Sequence, residues 1–478
     1  MSEIITAIDD DSFTINNSNI YYDKCNIRVT ANISGVTETK QLPCLFGYSF
    51  AERKDLSIIS DMELICEKGP LRALGMSSFF LGQVIGAASL PAVSDRYGRR
   101  PVHLISHFCI LVLGICSSFS PNYPVFLVMR FFIGIVHSHR KLFGFITNQF
   151  RVWGMVILAG LAYSLRDQSW RWVQLGVTSV CLPVLAEVVF LDETLRWLIL
   201  HGRMDDIRKH LEKVARVNRV DKTHVLEVFS NIQEHHRSLL PMTLSFEVEP
   251  KTPASLSQDA PTPTLNVTHS LADLLKVKRL AINTIAMWYM WLSCSMILFG
   301  IYLTSDTLAA SIYVNFFMVA IISCPSGIIF YFMIDRYGRK STLMALCLLA
   351  TGGLTVVTAI RILSANEGNA AIASTVFSCF GAMGIHEFMS TLFFYTPEIF
   401  PTTMRNVGLG SSAAIGRIGC ILTPFIILMG DNIIWAPGVL LTVMSVITLV
   451  VIQVLPETKA RELPQTLEDL KDWYRMTS

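Results

Sequence analysis

Asp95-Arg96-Tyr97-Gly98-Arg99-Arg100 recurs 240 residues later (335 − 95) as Asp335-Arg336-Tyr337-Gly338-Arg339-Lys340. Each copy lies between two apolar stretches, so the chain reads as two similar halves, a mark of transporters that rock two bundles around a central site. The glycine permits a tight turn between helices. An acid followed by a basic cluster at a helix end predicts a charge clamp, in which the aspartate accepts from nearby arginines and helix N-termini.

The rest of the composition fits this frame. Hydrophobic residues make up 52% of the 478 and charged residues only 16%, too little polar surface for a water-soluble domain. Apolar stretches run approximately over 72–93, 102–120, 123–137, 144–164, 170–191, 280–303, 308–334, 341–362, 369–395, 406–429 and 433–455. A spanning helix needs about 20 such residues. The expectation is an all-α membrane protein of two helical bundles with about eleven segments, multi-pass and in the lipid bilayer. Entry from outside at residue 72 puts Arg96, Arg99, Arg100, Arg140, Lys141, Arg336, Arg339 and Lys340 inside, together with a basic stretch from Arg196 to Arg279. Arg166, Arg171 and Arg361 fall outside, which agrees with the positive-inside bias.

This orientation divides the chain into an extracellular polar region (1–70), an amino-terminal bundle (71–192), a cytosolic loop (193–279), a carboxy-terminal six-helix bundle (280–456) and a cytosolic tail (457–478). The polar region holds sequons at Asn16 and Asn32, read as glycosylation sites, and Cys25, Cys44 and Cys66, whose pairing stays open. No secretory signal is read before it. In the loop, Met204, Ile207, Leu211 and Val214 mark one stripe of an amphipathic helix. The other eight cysteines lie singly in apolar stretches without metal-ligand spacing and read as packing residues. A net charge of +2 gives no sign of a nucleic-acid partner. No enzymatic activity, cofactor or metal is expected.

Several segments resemble, in order, the major facilitator superfamily and, within it, the organic cation/anion/zwitterion transporter family. They are the repeat itself, Trp170-Arg171-Trp172, Glu193-Thr194-Leu195-Arg196-Trp197-Leu198, Pro397-Glu398-Ile399-Phe400-Pro401-Thr402 with Arg405, and Leu455-Pro456-Glu457-Thr458. Sugar porters share the repeat, but residues 280–303 lack their glutamine-rich stretch, and Trp291, Ser295, Phe299 and Gly300 resemble the organic-ion pattern instead. The resemblance implies alternating-access transport of a small organic ion at the plasma membrane. It also implies cytosolic gate groups at Asp95, Arg96, Gly98, Arg99, Arg100, Asp335, Arg336, Gly338, Arg339 and Lys340, with Glu193–Arg196 and Glu398–Arg405 as gate pairs.

Arg417 lies midway along an apolar span, where a cation is costly and normally faces a cavity. Its position resembles the one that is aspartate in the family's cation transporters and arginine in its anion and zwitterion transporters. A carboxylate- or sulfate-bearing substrate is therefore implied. A purely structural pairing with Glu387 is the alternative. Trp291, Phe299, Phe394 and Tyr395, with Trp288 and Phe393, are candidates for lining the cavity, and Arg130, Gln149 and Arg151 are further polar groups within spans.

Against the family pattern, the chain is expected to lack the first helix and half of the fourth. Residues 123–137 reach only about 22 Å at 1.5 Å per residue, short of a core of about 30 Å. A cation transporter and a truncated, non-transporting relative stand as alternatives to an anion or zwitterion transporter.

Overall fold

A computed structural model describes residues 12–15, 18–22, 25–33, 36–44, 48–137, 144–223, 225, 229–230, 271–304, 312–363, 369–401, 404–431 and 433–459. Contacts divide the chain into two compact units: Met1–Leu90, Ser106–Leu182 and His269–Ser478 form one, Pro91–Ile105 and Pro183–Thr268 the other.

The first unit opens with a sheet that the apolar-segment reading missed. Strands β1 (Ser12–Ile15), β2 (Ser18–Tyr22), β3 (Asn26–Ile33) and β4 (Val36–Pro43) pair antiparallel in sequence order. Period-two alternation in β3 (Ile27, Val29, Ala31, Ile33 against Asn26, Arg28, Thr30, Asn32) carries the strand signal. Asn32 pairs with Thr37 in the β3–β4 register. Asn16 lies outside the described residues. Cys25 bonds Cys66, tying the sheet to the approach of the first long helix, and Cys44 stays outside the bond. Between them, helix α1 (Ile58–Asp61) has its N-terminus capped by the Ser57 hydroxyl.

The apolar segments follow as helices. They are α2 (Leu71–Tyr97), α3 (Arg99–Ser118), α4 (Tyr123–His137), α5 (Gly144–Ser164) and α6 (Trp170–Ser179) with α7 (Val184–Phe190). The fifth expected span is thus interrupted just before Val184, where Pro183 withholds a backbone N–H. Helices α8 (Leu195–Leu200) and α9 (Met204–Asn218) belong to the second unit, and α9 buries Ile207 of the expected stripe. After α10 (Asp273–Lys276) come α11 (Lys278–Leu303), α12 (Ile312–Tyr337), α13 (Arg339–Leu363), α14 (Asn369–Ile399), α15 (Arg405–Leu428) and α16 (Ala436–Val454). Eight helices among the described residues are long and apolar enough to cross a membrane, and shorter apolar helices accompany them. The core is centred on α11 and α14, which bury Met287, Met290, Trp291, Phe388, Leu392 and Tyr395.

The described part of helix α4 covers 15 residues and reaches His137, against 20 in α3 and 21 in α5; the expected shortening beyond it falls on residues 138–143, outside the described residues. Helix α4 lies against α2 with backbone nearly touching backbone. A Cβ on Gly82 would fall 2.1 Å from the Phe131 carbonyl oxygen, one on Gly86 2.1 Å from that of Ile135, and one on Gly134 2.0 Å from that of Phe79. Within lipid no hydrophobic force draws helices together, and small residues four apart let dispersion contacts form.

Gly134→Ala should therefore lower the detergent melting temperature of the purified protein by several degrees, although alanine is the better helix former. Gly160→Ala, where the added methyl meets nothing within 4 Å, is the matched control and should leave it unchanged or raise it.

Candidate functional site

Both copies of the repeated motif are built the same way. Tyr97 ends α2, Gly98 takes φ +103°, and Arg99 starts α3; Tyr337 ends α12, Gly338 takes φ +91°, and Arg339 starts α13. These left-handed angles suit glycine. A glutamate seals each turn. Glu193 accepts from the backbone N–H of Arg99 (3.1 Å) and Arg100 (2.9 Å), and Glu457 from those of Arg339 (2.9 Å) and Lys340 (3.0 Å). A carboxylate across two free N–H groups at a helix N-terminus is a charge-assisted cap favoured by the helix dipole. Each glutamate also accepts from the N–H of the threonine after it, Thr194 or Thr458. A side chain at Gly98 or Gly338 would strike this carboxylate at 2.7 or 2.8 Å.

This corrects the clamp read from the sequence. The motif aspartates are not the groups that accept from the helix N-termini. Asp95 is largely exposed, lies 3.8 Å from Arg99, and supplies only its backbone carbonyl to Trp197; Asp335 is exposed as well. The pair Glu398–Arg405 is also corrected. Glu398 binds Arg339 at 3.2 Å and accepts from the Thr458 hydroxyl at 2.5 Å, whereas Nε and one terminal nitrogen of Arg405 are buried without a hydrogen-bond partner. The Arg196 side chain lies outside the described residues. Arg96 and Arg336 lie over the rings of Tyr97 and Tyr337, and Lys459 donates to the Arg336 carbonyl.

In the second unit a cavity of about 560 Å³ lies beside Tyr97, Arg100, Glu193 and Trp197. Its basic groups are largely paired: Lys213 beside Asp192 holds that carboxyl below the usual carboxylate range, and Arg203 meets Asp206 at 3.1 Å. It has little positive charge left for an anion.

The membrane-depth site lies between α2 and α15. Three contacts run antiparallel along these helices: Arg72 to Asp431 (2.6 Å), the Ser77 hydroxyl to the Ile421 carbonyl (2.8 Å), and Arg417 Nε to Gln83 Oε1 (3.1 Å). Gln83 Nε2 continues the chain to His137 Nδ1 at 3.1 Å, at the end of the short helix α4. One terminal nitrogen of Arg417, Nη1, is buried without a hydrogen-bond partner. Glu387, on α14, is 1% exposed; one oxygen accepts from Ser326 at 2.6 Å and lies 3.4 Å from His386 Nδ1, while Oε2 has no hydrogen-bond partner. Among the described residues no ion pair joins Arg417 to Glu387, so the purely structural pairing is not what the geometry shows. Each lies twelve residues from the helix end next to the 400–404 connection (399 − 387 and 417 − 405), a distance of about 18 Å along the helix.

The expected aromatic residues are placed differently from one another. Trp291 is buried, donates to Thr396 at 3.0 Å and meets Phe393 edge-on at 4.7 Å. Phe299 meets Phe80 at 4.9 Å, across the two halves of the sequence. Phe394 is 37% exposed. Tyr395, expected in the cavity wall, is fully buried with its hydroxyl donating to the Pro456 carbonyl, so it pins the closing turn instead. Trp288 donates to Ser411 at 3.1 Å, and Arg130 to Gln174 at 3.4 Å. The side chains of Gln149 and Arg151 lie outside the described residues. Sequence reasoning missed Gln83 and His137. The signal was present: an amide inside an apolar span and a histidine at the edge of another.

Arg339 and Glu398 should couple in a double-mutant cycle of thermal stability, with an interaction of about 0.5–3 kcal/mol for Arg339→Gln and Glu398→Gln. Arg405→Gln with Glu398→Gln should add within about 0.5 kcal/mol. The reverse pattern would restore the Glu398–Arg405 pair.

Comparisons with known proteins bear on the fold and the family. Mouse (Mus musculus) solute carrier family 22 member 7 is 26% identical over 458 residues, covering 91% of this chain and 78% of the relative. Human organic anion transporter 3 is 26% identical over 460 residues (93% and 79%), and the organic cation transporter protein of Drosophila melanogaster is 26% identical over 469 (94% and 80%). The proton:xylose symporter XylE, bound to 6-bromo-6-deoxy-D-glucose, superposes with a TM-score of 0.55 at 17% identity (88% of this chain, 95% of that one), which shows the major facilitator fold. An inward-open form of the E. coli transporter gives a TM-score of 0.58 at 15% identity (86% and 91%). Residues 63–470 match the family described as sugar (and other) transporter, so the chain, a multi-pass membrane protein of major facilitator fold, belongs to that transporter family.

Proposed function

We propose that the chain carries small organic anions or zwitterions across the plasma membrane by alternating access, with Arg417 as the anchor for the substrate's anionic group and no enzymatic step. The observation that carries this reading is the buried, unpartnered Nη1 of Arg417 at mid-depth. A guanidinium there needs an acceptor, and a carboxylate or sulfate that arrives and leaves is one a transporter can exchange. The names of relatives at 26% identity, a solute carrier, an organic anion transporter and an organic cation transporter protein, fit an organic ion without choosing its sign.

In this reading the bundles at 71–192 and 280–456 rock about the site. The antiparallel contacts of α2 with α15 close the outer side, and Glu193 and Glu457 with their helix N-termini and basic neighbours brace the cytosolic side. Opening either side breaks a small number of charge-assisted contacts, each about 1.5–3 kcal/mol. Trp291 and Phe299 supply apolar wall for the organic body.

Radiolabelled uptake of an anion panel and a cation panel tests the assignment. Arg417→Lys should cut anion uptake by about tenfold or more, since lysine lacks the planar fork. Arg417→Asp should abolish it and favour cations. Unchanged anion uptake by Arg417→Asp at normal surface expression would overturn the anchor.

A further inference from the structure

The site contains a second ionisable group that anion binding does not use. Glu387 sits twelve residues from the end of α14 with 1% exposure, and among the described residues its side-chain oxygens meet Ser326 and His386. Ser326 of α12 donates to one oxygen at 2.6 Å, His386 lies 3.4 Å away, and Oε2 has no hydrogen-bond partner. From the other elements packed on α14, Cys294 of α11 directs its thiol to the Ile385 carbonyl at 3.7 Å, and Arg417 of α15 directs Nε to Gln83. Among the described residues no ion pair joins a charged side chain of α13 to Glu387, and the side chain of Arg151 on α5 lies outside the described residues. No arginine or lysine lies within ion-pair distance of Glu387 among the described residues. An ionised carboxylate so enclosed is expensive, whereas its protonated form presents an ordinary O–H.

From this geometry we propose that Glu387, Ser326 and His386 form a proton-binding site at mid-membrane depth, whose proton travels with the organic ion. The proton comes from water on one face, is held on a Glu387 oxygen, and returns to water on the other; no other bond forms or breaks and no electrons move. Ser326 ties the site to the conformational change. It stands on α12, which packs on α5 of the amino-terminal half as well as on α14, so a shift of α12 alters the hydroxyl's hold on the carboxyl. The unpartnered nitrogen of Arg417 lies at matching depth on the neighbouring helix, so anion and proton would occupy one level of the membrane and cross together as a neutral pair. Coupling rests on the transport reading; proton binding does not.

Two measurements on the full-length purified chain test it separately. Infrared spectroscopy at neutral pH should show a protonated carboxylic-acid band that shifts on deuteration, vanishes in Glu387→Gln and persists in Glu387→Asp. Its absence from the unmodified protein, or its survival in Glu387→Gln, would overturn the site. In proteoliposomes carrying a trapped pH dye, uptake of a carboxylate from the panel should acidify the lumen, and Glu387→Gln should take up the carboxylate with that acidification lost. Uptake by the unmodified protein with no proton movement would overturn the coupling. An intact band with no uptake of any ion would uphold proton binding and overturn the transport reading.

Discussion

A guanidinium about 18 Å along α15 from its Arg405 end, half-buried, is costly unless its N–H groups find acceptors, and the polar architecture at that depth follows from that constraint. Arg417 donates one N–H to Gln83 and keeps another without an acceptor. Gln83 is committed in turn to His137, the last described residue of α4. Helix α4 thus brings a polar side chain to the level of the charge. Close backbone contact through Gly82, Gly86 and Gly134 holds that end in place.

Unsatisfied backbone N–H groups explain the motif turns. Each helix that begins after a motif glycine exposes N–H groups its own turn cannot satisfy, and a glutamate far along the chain satisfies two of them. The two glutamates lie 264 residues apart (457 − 193), so the internal repeat extends beyond the six residues that first reveal it. The structural role expected of the motif aspartate belongs to this glutamate, whose carboxylate reaches both N–H groups at once.

Much of this was legible in the chain itself. Apolar length marked α2 to α7 and α11 to α16 because lipid demands about 20 apolar residues per crossing, and the stripe at Met204, Ile207, Leu211 and Val214 marked α9. The N-terminal sheet was not, since its strands are short, polar on one face and masked by turn residues. The depth of Arg417 could be read from its place in a span, but its partner could not. Glu387 was the other charge expected within the membrane, and only the packing of α2 against α15 brings Gln83 to Arg417. Glu398 was assigned to the wrong arginine for the same reason: sequence proximity favoured Arg405, while the fold brings Arg339.

The central claim is that Arg417 holds an exchangeable anion in the membrane interior. An experimental structure of the full chain with a transported carboxylate bound tests it most directly. The account predicts the carboxylate against the Arg417 guanidinium, within hydrogen-bond distance of Nη1 and level with Glu387. A carboxylate resolved elsewhere, with both terminal nitrogens of Arg417 bonded to protein acceptors, would contradict it.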